Sequence, residues 1–126
     1  MPDGTRLLGV HAAPGTDDGV GIRTTQSDDE LRGILSGCGA ELVFVGHTHA
    51  ALDRTVDGIR VVNLGSLSIP LTPDRRAAYA LLDADERGYS VEPRRVEYDL
   101  EAGVARVAAS GQPGARFVTA RLRGQV

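Results

Sequence analysis

The chain has no lysine, only one cysteine and no long hydrophobic run. Because Cys38 is the single cysteine of the 126 residues, no internal disulfide can form, which is typical of a protein in a reducing cytoplasm. No apolar stretch approaches the roughly 20 residues of a transmembrane helix, and residues 1 to 6 have no signal-peptide character. We therefore expect a cytoplasmic protein with no membrane partner.

Strong charge of either sign is also missing. The net charge is −3, and all fourteen basic residues are arginines scattered along the chain. This balance gives no sign of a nucleic acid, an anionic membrane or a polycationic partner. The apolar content of 41% and charged content of 25% are ordinary for a globular protein, so we predict a single domain over residues 1 to 126.

The most informative segment is residues 42 to 49, Leu-Val-Phe-Val-Gly-His-Thr-His. Four consecutive apolar residues predict a strand that is buried on both faces. Gly46 ends the run, and His47 and His49 follow it. Neutral imidazole is the commonest side-chain metal ligand, and strand ends facing a crevice are where open α/β folds bind ligands. The segment therefore predicts part of a metal site.

The third histidine, His11, follows another predicted strand. In an extended segment His47 and His49 share a face, whereas in a tight turn they can serve two metals about 3.5–4 Å apart. Three imidazoles without a carboxylate suit a single catalytic zinc, but a dinuclear centre normally also needs carboxylates. The aspartates that might serve lie in polar loops or turns, where a solvated role is usual: Asp17, Asp18, Asp53 and Asp57.

Turn and cap signals divide the rest of the chain into strands and helices. Ser27 and Glu30 form a capping-box pattern, and Asp57-Gly58 is a favoured hairpin turn. The predicted strands are 6–10, 41–45, 51–56, 59–63, 77–83 and 89–97. The first predicted helix begins at Ser27, has an apolar face of Leu31, Ile34, Leu35 and Cys38, and is ended by Gly37 and Gly39. A second helix follows Asp99 as its N-cap, and a third spans residues 115 to 122. This order predicts an α/β fold of the layered α+β type.

The ordered motifs resemble those of one known family. Gly46-His47-Thr48-His49 resembles the last metal-binding motif of calcineurin-like metallophosphoesterases. Residues 10–14, Val-His-Ala-Ala-Pro, resemble the preceding histidine motif in the small bacterial and archaeal phosphodiesterase branch. Residues 63–66 are similar to that branch's Asn-Pro-Gly-Ser loop, with leucine in place of proline. Residues 76–82, 96–99 and 111–124 also fit, in the same order.

The resemblance implies a fold, a reaction and a ligand set. The fold would be the C-terminal part of a four-layer α/β/β/α sandwich. His11 and His47 would bind one metal ion and His49 the other, and Asn63 would shape the floor of the substrate pocket. Such sites normally hold two divalent ions of manganese, iron or zinc. They hydrolyse phosphodiesters or phosphomonoesters with a metal-activated water.

The earlier motifs of the family, including the bridging aspartate, are absent from the sequence. Asp83-Ala84-Asp85 follows the matching strand and is in the wrong order to replace them. Two unit charges about 4 Å apart already interact by about 4 kcal/mol at an effective dielectric of about 20, and divalent charges raise this fourfold. We therefore predict that the chain supplies an incomplete ligand set, cannot hold two ions alone and is inactive by itself.

Four interpretations follow from this partial match. The chain is a fragment or mis-started product of a whole phosphoesterase that lacks an N-terminal segment. Alternatively, it is a half-enzyme completed by a second chain or a homo-oligomer. A third interpretation is a non-catalytic, protein-binding scaffold of the same fold. The last is an unrelated fold with one metal or none, in which His11 would lie too far from the His47–His49 turn to share an ion.

Overall fold

The computed structural model describes residues 1–125 and has mixed helices and strands, which confirms the predicted α/β class. The strands are β1 (Leu7–Gly9), β2 (Leu42–Val45), β3 (Leu52–Val56), β4 (Ile59–Asn63), β5 (Ala77–Asp85) and β6 (Gly88–Val96). The helices are α1 (Asp28–Leu35), α2 (Leu100–Ala109) and α3 (Ala115–Leu122). Among these residues, no helix has both the length and the apolar character needed to cross a membrane.

A four-stranded sheet in the order β1-β2-β4-β3 positions the candidate site. β1, β2 and β4 run parallel, with Val43 opposite Val61 and Val45 opposite Asn63, and β3 pairs antiparallel with β4. Parallel strands bring their carboxyl ends to the same edge of a sheet. The segments that follow β1, β2 and β4 therefore meet at one edge.

The middle of this sheet is the hydrophobic core. Leu42 and Val43 are both 0% exposed. Because consecutive strand residues point to opposite faces, β2 is covered on both sides, as the apolar run predicts. Ile22, Leu31 and Leu35 are also buried, and they belong to the loop and helix between β1 and β2. The edge of the sheet that carries the candidate site is therefore supported by tightly packed apolar side chains.

Helix α1 begins at the predicted capping box. Ser27 Oγ accepts the Glu30 N–H at 3.2 Å, and the Ser27 N–H donates to a Glu30 carboxylate oxygen at 2.7 Å. The helix ends at Leu35, two residues before Gly37, so Cys38 lies beyond the helix and not on its apolar face. Cys38 still packs against the core. The helix stops just before Gly37, whose φ is 72°, in agreement with the predicted glycine stop, whereas the placement of Cys38 on the helical face was wrong.

The two hairpins differ in how well the sequence predicts them. Asp57 and Gly58 have φ of 50° and 81°, which is the backbone that a two-residue turn with both central φ values positive requires. The second hairpin pairs Asp85 with Gly88, so its strands extend further than predicted and its turn is shorter. Along this separate two-stranded sheet, several large apolar side chains are exposed: Tyr79, Leu81, Leu82 and Val96.

The C-terminal helices follow the predicted pattern. The Asp99 carboxylate accepts the Ala102 N–H at 2.9 Å, which confirms Asp99 as the N-cap of α2. Arg123, just after α3, forms an ion pair with Glu101 of α2 at 2.7 Å. Val104 and Leu122 are the buried residues of these two helices, which pack against each other.

Candidate metal centre

The candidate site lies where β1 and β2 end. The Val10 N–H donates to the Phe44 carbonyl at 3.0 Å, and the Gly46 N–H donates to the His11 carbonyl at 2.8 Å. The parallel pairing therefore continues past the last residue of β1. This continuation places His11 beside the turn that carries His47, although 36 positions separate them in sequence.

The His11 and His47 rings meet edge to face. His11 Nε2 lies 3.2 Å from His47 Nδ1, and the ring planes are 84° apart. His47 Nε2 lies 2.9 Å from the Gly19 carbonyl oxygen. A carbonyl only accepts, so Nε2 of His47 carries its proton, and Nδ1 of the neutral ring is a lone pair that accepts from His11 Nε2–H. The two nitrogens that converge are thus those that would contact a shared cation.

The His49 ring is oriented separately. Its Nδ1 lies 2.9 Å from the Ile69 carbonyl oxygen. By the same reasoning, Nδ1 carries the proton, and the lone pair is on Nε2. Metal-binding histidines commonly donate their other N–H to a backbone carbonyl, which fixes the tautomer and the ring direction. His49 has this arrangement, but its ring does not contact His11 or His47.

The turn that carries both histidines is strained. His47 has φ of 60° and His49 has φ of 55°, whereas Gly46 is not among the residues with positive φ. Left-handed backbone is uncommon for residues other than glycine, and such strain concentrates at functional sites. Thr48 lies between the two histidines in sequence and anchors the turn, because its hydroxyl donates to the Ile22 carbonyl at 3.0 Å.

The Asn63 side chain stabilises this turn through hydrogen bonds. Its side chain is buried, and Nδ2 donates to the Gly46 carbonyl at 2.7 Å and to Thr48 Oγ1 at 3.0 Å. Its Oδ1 accepts the Gly65 N–H at 2.9 Å. With its amide engaged on both sides, Asn63 supports the turn that carries the histidines and is a positioning residue. Its role in the floor of a substrate pocket stays a prediction.

The sequence did not single out Ser66, which supports His49. Ser66 is buried, and its Oγ accepts the N–H groups of Ser68 at 3.3 Å and Ile69 at 2.9 Å. These bonds shape the turn whose Ile69 carbonyl orients His49. A serine that bonds the backbone two or three residues ahead is a known turn pattern, so the glycine-serine pair of this loop was the available signal.

The aspartates considered as metal ligands are either paired with an arginine or exposed to solvent. Asp53 pairs with Arg60 at 2.7 Å and Asp57 with Arg32 at 2.5 Å, and each arginine lowers the pKa of its carboxyl partner. Asp17 and Asp18 are exposed. Asp85, after the matching strand, pairs with Arg87 in the β5–β6 hairpin.

Within residues 1–125, no three histidine, cysteine, aspartate or glutamate side chains form a group that could hold a metal ion. The structure therefore brings together His11 and His47, with His49 oriented separately, and the three-histidine ligand set stays a prediction. The donor chemistry of the pair fits a divalent transition metal, since both nitrogens are imidazole lone pairs once one proton leaves. The fit is partial because no carboxylate joins the pair.

Comparison with known proteins identifies the family. Residues 3–87 match the calcineurin-like phosphoesterase superfamily domain. A "probable metallophosphoesterase" of Mycoplasma pneumoniae is 39% identical over 46 residues, which is 36% of this chain and 29% of that protein.

Two solved structures share the fold. A hypothetical protein from Pyrococcus horikoshii has a TM-score of 0.78 at 24% identity, over 95% of this chain and 46% of that chain. A metallophosphoesterase from Sphaerobacter thermophilus has a TM-score of 0.73 at 24% identity, over 94% of this chain and 55% of that chain. The chain thus spans about half the length of these structures and 29% of the curated relative. Since the family match covers more than half of it, the chain belongs to the calcineurin-like phosphoesterase superfamily.

Proposed function

We propose that the protein takes part in metal-dependent hydrolysis of phosphate esters, with His11, His47 and His49 as metal ligands. The observation that carries this proposal is the 3.2 Å approach of His11 Nε2 to His47 Nδ1 at the carboxyl ends of parallel strands. Membership of the superfamily supports the reaction class. The left-handed backbone of both turn histidines supports a functional role for the turn.

In this proposal, His11 through Nε2 and His47 through Nδ1 hold one divalent ion. His49 offers Nε2 to a second ion, since Ile69 engages its Nδ1. Bound divalent ions supply an activated water and stabilise negative charge on the phosphoryl oxygens. Imidazole donors suit zinc and iron, and manganese becomes favourable where carboxylates join them.

The residues of this chain prepare the ligands before any ion binds. The Gly19 and Ile69 carbonyls fix the tautomers of His47 and His49. Asn63 and Thr48 fix the turn that aims both rings. Ligands held in place by neighbouring hydrogen bonds lose less entropy on binding, so this support favours metal affinity.

A two-metal site also needs anionic ligands, because the positive charges otherwise repel each other. We propose that another polypeptide segment supplies them, from a longer form of this chain, from a second chain or from another copy. The chain alone would then bind one ion and remain inactive.

To test this proposal, the chain is mixed with the segment of the Sphaerobacter thermophilus metallophosphoesterase that has no counterpart in this chain. Manganese-dependent hydrolysis of bis(p-nitrophenyl) phosphate is measured for each part and for the mixture. We expect activity only in the mixture and its loss with His47→Ala, but not with Arg116→Gln on the exposed side of α3. Undiminished turnover with His47→Ala would refute the ligand assignment.

A second candidate function, a non-catalytic scaffold, is favoured by one observation. Large apolar side chains are exposed on the two-stranded sheet: Tyr79, Leu81, Leu82 and Val96. Exposed apolar patches on folded proteins often mark protein contacts. Elemental analysis separates the two functions, because a scaffold retains no zinc or manganese after dialysis, whereas a metal-binding chain retains about one equivalent.

A further inference from the structure

A cavity opens beside His47. Its volume is about 460 Å³, within the usual range for small-molecule sites. The loop before α1 forms one wall and the histidine turn forms the other; the residues that matter here are Val20, Arg23, Thr24, His47, Thr48 and Leu71. Gly19, whose carbonyl fixes the His47 ring, also lines the cavity. The cavity therefore borders the candidate metal centre through His47, whereas His11 and His49 do not line it.

The lining of this cavity has a charge opposite to that of the whole chain. The net charge of the chain is −3, yet no aspartate or glutamate lines the cavity within residues 1–125. Arg23 is its charged side chain. Threonine hydroxyls and a guanidinium are groups that bind phosphate oxygens, so the lining favours an anion.

Arg23 is fixed but not neutralised. Its Nε donates to the Val20 carbonyl at 3.3 Å, and its backbone N–H donates to the Gln26 side chain at 2.8 Å. Within the described part of the chain, Arg23 forms no ion pair, whereas nine other arginines each pair with a carboxylate. The terminal amino groups of Arg23 are thus available to a ligand.

The same cavity has an apolar side. Val20 is 58% exposed and Leu71 is 57% exposed, although both are aliphatic. Their positions on the wall leave apolar area that a ligand would remove from water. A cation, hydroxyl groups and aliphatic side chains together match a molecule that carries a phosphate joined to an apolar group.

We propose that this cavity binds the substrate as a phosphate ester of an apolar alcohol or phenol. Arg23 holds a phosphoryl oxygen, and Val20 and Leu71 contact the organic group. The inference rests on the proposed function for the identity of the site, and it adds the substrate class. We expect the cavity to bind such esters more tightly than inorganic polyphosphates or esters of small polar alcohols, because those ligands would leave the apolar wall exposed to water.

The test measures binding without metal, so that hydrolysis plays no part. Phenyl phosphate and methyl phosphate are titrated calorimetrically into the full chain in EDTA. We expect phenyl phosphate to bind about fivefold more tightly than methyl phosphate, because the ring covers apolar wall. Arg23→Gln should weaken both ligands about tenfold, as expected for loss of a charged hydrogen bond, and Arg23→Lys should weaken them less.

Two further variants separate the parts of the cavity. Leu71→Ser should lower the affinity for phenyl phosphate to that for methyl phosphate. Arg116→Gln changes an exposed arginine of α3 outside the cavity and should leave both affinities unchanged.

Three results would overturn the inference: wild-type binding by Arg23→Gln, equal affinity of the two ligands, or no binding of either. If binding depends on Arg23 but the histidines bind no metal, the proposed function fails alone. If the histidines bind metal but Arg23→Gln binds normally, this inference fails alone.

Discussion

The Asn63 side chain donates to the Gly46 carbonyl at 2.7 Å, and this contact helps to tie the end of β4 to the turn that presents both histidines. Asn63 is 2% exposed, and its register partner on β2 is Val45, directly before Gly46. The parallel pairing of β2 with β4 therefore decides which side chain supports the turn.

Replacing Asn63 tests that support. Asn63→Ala leaves the Gly46 carbonyl and the Thr48 hydroxyl without this partner, so we expect a loss of about 1–3 kcal/mol in the free energy of unfolding. Urea unfolding measures the loss. Thr72→Ala, which removes an exposed hydroxyl, is the control and should change stability by less than about 0.5 kcal/mol. Equal stability of Asn63→Ala and the wild type would contradict the role assigned to Asn63.

Two substitutions at His47 separate the effect of its strained backbone on stability from the effect of its imidazole ring. His47→Ala and His47→Gly both remove the imidazole, but only glycine adopts φ of 60° without steric conflict. We expect His47→Gly to be more stable than His47→Ala by about 0.5–1 kcal/mol, because relief of strain exceeds the greater chain entropy of unfolded glycine. Thermal unfolding of the two proteins gives the difference. A more stable alanine variant would show that the turn is not strained.

Ser66 should control the tautomer of His49. Ser66→Ala removes the acceptor for the Ile69 N–H, so the Ile69 carbonyl no longer holds the ring in one orientation. Nitrogen NMR of the imidazoles should show one tautomer of His49, protonated on Nδ1, in the wild type and a mixture in Ser66→Ala. Ser68→Ala, two residues away and exposed, is the matched control. An unchanged His49 spectrum in Ser66→Ala would remove Ser66 from the support of the site.

The stability of the chain should fall in acid through Glu41. Arg6 donates from its side chain and its backbone to this carboxylate and lowers its pKa from 4.5 to about 2. A depressed folded-state pKa contributes stability that is present above the ordinary value and is lost as pH falls toward the folded value. We expect the contribution to disappear between about pH 4.5 and pH 2.

Urea unfolding midpoints of the wild type and Glu41→Gln across that interval test the assignment. The two proteins should differ most near neutral pH and converge near pH 2, because protonation removes the same charge as the substitution. Arg6→Gln should reproduce most but not all of the effect of Glu41→Gln, because it removes the guanidinium and keeps the backbone N–H that donates to the carboxylate. A constant difference at all pH values would show that the pair does not set the acid dependence.

Local signals explain how much of the fold was predictable. The capping box at Ser27, the Asp57-Gly58 turn and the Asp99 cap each depend on residues within four positions, so the sequence alone specifies them. Cys38 was wrongly assigned to the apolar face of α1 because the apolar spacing continues to it after the backbone has left the helix. Apolar periodicity thus predicts which residues pack, but not where the backbone changes conformation.

The candidate site was predictable only in part, because its contacts are long-range. The sequence pointed to His11 and His47, but their contact depends on the register of β1 against β2. The positive φ lies at His47 and not at Gly46, which propensity alone would favour. Ser66 and Arg23 belong to loops whose partners only tertiary structure reveals.

We propose that His11 and His47 share one cation, His11 through Nε2 and His47 through Nδ1. Nitrogen NMR of the three imidazoles during a titration of the wild-type chain with Zn²⁺ tests it most directly. We expect the signals of His11 Nε2 and His47 Nδ1 to shift together toward metal-bound values at the first equivalent, while His47 Nε2 keeps its proton and donates it to the Gly19 carbonyl. Unchanged signals from both rings, or binding by His47 through Nε2, would contradict it.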